Sequence, residues 1–293
     1  MKVEPECAAC IINRAVAEAT EATTNHALRF RAMTELLRLL NKEFKPTAVP
    51  ADLGTRRDRL IRRITGNDDP YERCKRMSNE KALKLLPYAR KFVEEGFMQY
   101  DRFKKACLCA IVGNVLEFDI PGHNVTFNGL KKEFREAAKD LVIDDVSNAY
   151  DLAKKARAVL FLADNAGEIV FDILLVEQLK NMGLMVTVAV KGGPVINDAT
   201  LKDAEASGMS KLADKVVTSG TDTVGFNPKE VSREFLDVYK SVDFVFAKGM
   251  GYAETFTEYK LEKPHILLFR TKCDPVANFF CAARNKNVAK LMP

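Results

Sequence analysis

The sequence predicts an α/β protein in which an all-helical amino-terminal region, residues 1–145, precedes a mainly parallel sheet covered by helices on both faces, residues 146–293. Apolar residues recur at helical spacing from about residue 5 to 140. From about residue 155, short runs rich in β-branched and aromatic residues alternate with helical stretches. Each of those runs ends in a loop carrying carboxylates, amides, glycines or cations.

The first half reads as about six helices. Cys10 to Val16, Phe30 to Leu37 and Lys81 to Leu86 each place apolar side chains three and four positions apart, which stacks them on one helical face. Breaks fall at Lys45 to Pro50, Gly66 to Pro70 and Ile120 to Asn124, where proline, glycine and asparagine interrupt regular structure. The segment Arg56 to Arg63 is strongly basic and reads first as a solvated helix face, with phosphate or nucleic-acid contact as the alternative. In the second half the predicted strands are Val159 to Leu162, Met185 to Val190, Lys215 to Thr218, Phe244 to Ala247 and His265 to Phe269. Helices are expected at about 168–180, 199–206, 229–239 and 252–259. Strand, helix, strand in repetition gives parallel neighbours joined by right-handed crossovers.

Composition narrows the function. A chain of 293 residues, 47% hydrophobic and 29% charged, buries a substantial core and is not disordered. With 45 basic against 40 acidic residues the net charge of +5 suits an anionic substrate without suggesting a nucleic-acid binder. No apolar run approaches the roughly 20 residues needed to cross a bilayer. The amino terminus has no apolar signal region, so a cytoplasmic location is expected. The seven cysteines are accordingly expected to be thiols or ligands.

The strand ends carry the chemistry. After the first comes Asp164-Asn165-Ala166-Gly167-Glu168, and after the second Gly192-Gly193-Pro194-Val195-Ile196-Asn197-Asp198. The third is followed by Ser219-Gly220-Thr221-Asp222, the fourth by Lys248-Gly249-Met250-Gly251, the fifth by Arg270-Thr271-Lys272-Cys273. In a parallel sheet these loops emerge at one edge, where ligands bind. Asp164, Asn165 and Asp198 offer oxygen donors suited to a hard divalent cation. Glycines there let backbone amides approach an anion, and the helix starting near Gly167 directs its positive end to the same place. Lys248 would neutralise charge on phosphoryl oxygens, and Glu168 or Asp222 would orient a water or hydroxyl. Each feature has a plainer reading, since Asp164-Asn165 and Asn197-Asp198 also serve as helix caps. Their shared placement favours a pocket. Gly249-Met250-Gly251 lacks the third glycine of a dinucleotide fingerprint.

Cys7 and Cys10, three apart on the first helix, fit half of a zinc site or a redox pair, yet no second such pair follows. Cys107 and Cys109 are poorly spaced for joint ligation and Cys74 is isolated, so buried packing is expected for most thiols.

The motifs at 164–168, 194–200, 248–251 with Glu254, and Lys272-Cys273 resemble those of the family once called domain of unknown function 89, metal-dependent damage-control phosphatases. Cys7 with Cys10, Asp69-Pro70-Tyr71 and Gly113-Asn114 extend the resemblance, to the archaeal and bacterial branch, over nearly the whole chain. It implies a helical region packed on a Rossmann-like three-layer α/β/α sandwich, with cobalt, nickel, manganese or magnesium at the sheet edge. By that resemblance Asp164, Asn165 and Asp198 match metal ligands that are also catalytic, and Glu168 and Lys248 match residues lining the substrate pocket. Asn114 would reach the pocket from the helical side, and Gly167 and Glu254 complete the expected substrate-binding set. One departure is that Tyr252-Ala253 stands where the family commonly has Asn-Tyr.

The resulting expectation is hydrolysis of a small phosphate monoester, a sugar phosphate or damaged phosphometabolite. The rivals are an S-adenosylmethionine-dependent carboxyl methyltransferase and a non-catalytic metal- or phosphate-binding module. The helical surface would also support a homodimer.

Overall fold

The computed structural model describes residues 1–113 and 134–293. The break expected near 120–124, and Asn114, lie outside the described residues. Five helices open the chain: α1 (Glu6–Ala22), α2 (His26–Glu43), α3 (Pro50–Thr65), α4 (Glu72–Glu94) and α5 (Gln99–Gly113). Their ends follow local chemistry. The Asn25 side chain accepts from the amides of Ala27 and Leu28 to start α2, and Gly66, in the left-handed conformation at φ 70°, stops α3.

Helical residues 134–139 lead into β1 (Leu141–Asp144) and α6 (Val146–Lys155). The alternating half follows: β2 (Ala158–Leu162), α7 (Glu168–Asn181), β3 (Met185–Val190), α8 (Leu201–Ser207), α9 (Met209–Leu212) and β4 (Lys215–Thr218). It ends with α10 (Arg233–Ser241), β5 (Phe244–Lys248), α11 (Met250–Phe256), β6 (His265–Arg270), α12 (Asp274–Phe279) and β7 (Asn287–Met292).

One seven-stranded sheet has the order β1-β7-β6-β5-β2-β3-β4. The five strands the sequence predicts, β6-β5-β2-β3-β4, are mutually parallel. Two further strands, at the β6 side of the sheet, escaped prediction. β7 runs antiparallel to β6 and β1 pairs with β7, so residues 141–144 of the otherwise helical first half belong to the sheet.

Four of the five parallel strands, β6, β5, β2 and β3, read as nearly unbroken apolar runs because both faces are buried, whereas β4 at the sheet edge is partly exposed. Val159 and Phe161 of β2 join a core with α4, α5 and α7, whereas Leu160 and Leu162 join one with α10 and α11. Helix α7 has apolar residues on every side, with Ile169, Val170, Phe171, Ile173, Leu174, Leu175, Val176 and Leu179 all buried. Such a helix must be covered all round. It packs beside α5, which itself touches the sheet through Phe103 against Phe246, while α4 lies against both helices. A third cluster joins α1, α2 and α3 through Ile11, Ala15, Leu36, Leu53 and Ile61. Among the described residues no helix is long and apolar enough to cross a membrane.

Candidate active site

Chain order and sheet order part company at β2. From β2 the chain steps outward to β3 and β4, then returns to place β5 on the other side of β2. The loops after β2 and β5 diverge, opening the crevice at which parallel α/β sheets bind ligands. Asp164 and Asn165 follow β2, and Lys248 closes β5 before Gly249.

Backbone hydrogen bonds fix the three proposed donors relative to one another. The Ala166 N–H donates to the Asn197 carbonyl at 2.9 Å, and the Ala199 N–H donates to the Asp164 carbonyl at 2.7 Å. Asn165 and Asp198 form an isolated antiparallel bridge. Asp164, Asn165 and Asp198 are therefore neighbours, as expected from the sequence. The Asn165 amide donates to Asp164 Oδ2 at 2.8 Å and Glu168 Oε2 at 3.0 Å, which leaves its oxygen, Oδ1, as a cation donor.

The site concentrates negative charge. Asp164 is held well above the usual carboxylate range, first by burial and then by the charges of Glu168 and Asp198, against Lys248 and Lys272. Asp198 is pushed up to about 6 by burial, opposed by Lys191. Oxygen donors whose mutual repulsion a cation would relieve fit a divalent metal ion. Among the described residues no group of three or more His, Cys, Asp or Glu is placed to hold an ion, so the set needs Asn165 as its third donor. Gly249 makes room for it. A Cβ there would lie 1.9 Å from Asp164 Oδ2, and the backbone stands at φ 84°, a region open in practice only to glycine.

Beneath the site lies a buried ion triad. Lys248 Nζ donates to Glu168 Oε1 and, at 2.7 Å, to the Ala110 carbonyl of α5, and it stands 3.0 Å from Asp172 Oδ1. All three side chains are at most 1% exposed. Burial would lower the Lys248 pKa, but the Asp172 and Glu168 charges outweigh it and hold the ammonium charged. Lys248 thus lies inside the protein, bound to Glu168. Lys272, half-buried in the loop after β6, is a cation whose charge reaches Asp164.

The other sequence candidates sort as follows. The Gly167 N–H, at φ 77°, donates to the Asn79 side chain of α4 at 2.7 Å, and Asn79 in turn donates to Asp203 at 2.8 Å. Glu254 lies against the amino-terminal helix, where burial raises it to about 7 against the Met1 ammonium and Arg14. Asp222 accepts from Arg59 Nε at 3.0 Å and also from Arg62. Cys7 is buried and Cys10 exposed, and all seven cysteines are free thiols.

The basic segment differs from its reading as a solvated face. Arg57 is buried against Glu18 at 2.9 Å, while Arg59 and Arg62 reach across to Asp222. The reason is that α3 clamps the sheet edge. Asp58 accepts from the Ile196 N–H at 3.0 Å, and Thr55 accepts from the Val224 N–H at 2.9 Å. Ile196 sits at φ 45°, an unfavourable conformation for a β-branched residue, just before Asn197-Asp198. Asn79, Asp58 and the buried Lys191 were not singled out from the sequence, since nothing in local pattern marks a polar side chain as buried.

Residues 3–288 match the damage-control phosphatase ARMT1-like domain. A damage-control phosphatase of Archaeoglobus fulgidus is 34% identical, with both chains covered in full. One of Pyrococcus horikoshii is 35% identical over 94% of this chain and 93% of its own. An uncharacterised protein of Methanocaldococcus jannaschii is 36% identical over 94% and 91%. The crystal structure of a DUF89 family protein from Pyrococcus horikoshii superposes with a TM-score of 0.86 at 33% identity, covering 99% of this chain and 98% of the other. Sequence, fold and full-length coverage agree, and the chain belongs to the damage-control phosphatase ARMT1-like family, an enzyme of the phosphatase class.

Proposed function

We propose that this phosphatase depends on a divalent metal and hydrolyses small phosphate monoesters, sugar phosphates or damaged phosphometabolites. The observation that carries the reading is the convergence of Asp164, Asn165 and Asp198 at the switch point of the sheet, latched by backbone hydrogen bonds. Oxygen donors of this kind suit manganese, magnesium, cobalt or nickel. When bound, such an ion polarises a phosphoryl oxygen and acidifies a water.

The chain's own groups do the rest. Glu168, anchored by Lys248, holds the Asn165 amide so that its oxygen faces the cation. Lys272 meets charge developing on the phosphoryl oxygens. Asp164 either serves as a ligand or attacks phosphorus, and a trapped aspartyl-phosphate distinguishes the two. Seven free thiols accord with a reducing, cytoplasmic setting.

The test is dialysis against a chelator followed by assay on sugar phosphates and a generic aryl phosphate with each ion in turn. Activity restored by metal is expected, together with its loss in Asp164→Asn. No hydrolysis of any phosphoester with any ion would overturn the proposal.

A further inference from the structure

Lys191, one residue beyond β3, is 1% exposed. Its N–H donates to the Ala199 carbonyl at 2.9 Å, closing the loop that carries Asp198. Its ammonium donates to the carbonyls of Thr223 at 2.8 Å and Gly225 at 2.9 Å, both in the loop after β4. The same Nζ lies 3.5 Å from Asp198 Oδ2 and 4.7 Å from the centroid of the Tyr252 ring. A buried ammonium is costly unless it is paired and hydrogen-bonded, and here two carbonyls, a carboxylate and an aromatic face surround it.

We infer that Lys191 is a positioning residue for Asp198, and through it sets how tightly the site holds its cation. The inference rests on the metal-dependent reading above. Three separate parts of the sheet edge meet at one nitrogen: the Asp198 loop, the loop after β4, and α11 through Tyr252. Two carbonyls fix where the ammonium lies, and the ammonium fixes Oδ2. Asp198 is left with Oδ1 to offer beside Asp164 and Asn165. A ligand held at one oxygen by an anchored partner loses little freedom on binding metal, which is how outer groups tune affinity.

The test is binding of Mn2+ to the whole protein, read as loss of the free-ion electron paramagnetic resonance signal. Lys191→Met should bind Mn2+ about 10–100-fold more weakly, with much of its turnover recovered at saturating metal. Tyr252→Leu, which removes the aromatic partner of the ammonium but leaves its two carbonyl hydrogen bonds, should shift affinity the same way by less. A purely structural role predicts a lower thermal midpoint with Mn2+ affinity of the folded variants unchanged, and that result would overturn the inference. Should Lys191→Met not fold, wild-type affinity in Tyr252→Leu overturns it alone. Failure of the wild-type protein to bind any of Mn2+, Mg2+, Co2+ or Ni2+ would sink the metal reading itself, and this inference with it.

Discussion

Replacing Gly249 with alanine tests the crevice directly. The new Cβ would lie 1.9 Å from Asp164 Oδ2 and 2.3 Å from its Cγ, whereas Cβ contacts below 3.0 Å essentially do not occur. The carboxylate must therefore retreat by about 1 Å, and misplacing a reacting group that far costs on the order of 100-fold in rate. The backbone adds its own term. At φ 84° and ψ 167°, alanine meets strain of about 1–3 kcal/mol, enough to lower the thermal midpoint by several degrees. Steady-state hydrolysis with saturating Mn2+, Mn2+ binding, and thermal unfolding by circular dichroism separate the two effects. The expected outcome is a folded enzyme with kcat/KM down about 100-fold and weakened metal binding. A folded Gly249→Ala with wild-type kcat/KM and Mn2+ affinity would refute the placement of Asp164 in the reaction.

Three other outcomes follow from buried groups. Lys248→Met strands Glu168 and Asp172 without their counter-charge and should cost about 3–5 kcal/mol in urea unfolding at neutral pH, a loss below 1 kcal/mol contradicting the triad. His265 is fully buried, its Nδ1 bonded to the Lys263 carbonyl at 2.8 Å and its Nε2 to the Tyr239 hydroxyl at 3.1 Å, and burial lowers its pKa to about 4. The unfolded chain takes up this proton near pH 6.5 while the fold resists until about 4, so stability should fall by roughly 3 kcal/mol as pH drops through that window. His265→Gln should flatten that part of the pH–stability curve, and an unchanged slope would show that His265 is not its source. Phe171→Ala, which empties a site between the sheet and α5, should cost about 3–5 kcal/mol by chemical denaturation, and a cost under 1 kcal/mol would show that α7 is not the packed centre described.

The alternating half was legible because four of its five parallel strands are buried on both faces, leaving short apolar runs with polar ends that alternate with helical stretches. β1 and β7 carry no such signature. Leu141–Asp144 alternates half-buried with exposed residues, and Asn287–Met292 becomes partly exposed along its length, so neither reads as a buried run. The donor trio was legible because Asp164-Asn165 and Asp198 lie in the loops that follow two strands adjacent in the sheet. Lys191, Asn79 and Asp58 were not, because hydrogen-bond partners that hold them in place lie 32 to 138 positions away. The Arg56–Arg63 segment shows the converse. Its charge pattern suggested water, but Glu18 and Asp222, remote in sequence, supply the carboxylates that draw it inward.

The latch between the loops after β2 and β3 has a consequence for how this site tolerates change. The spacing of Asp164, Asn165 and Asp198 is written in main-chain hydrogen bonds between 164 and 199 and between 166 and 197, which any amino acid except proline can make. Neighbouring side chains are thus free to vary with substrate while the ligand frame persists. A single inserted residue in either loop, however conservative its chemistry, would shift the register of the latch and displace a ligand that no substitution nearby could restore.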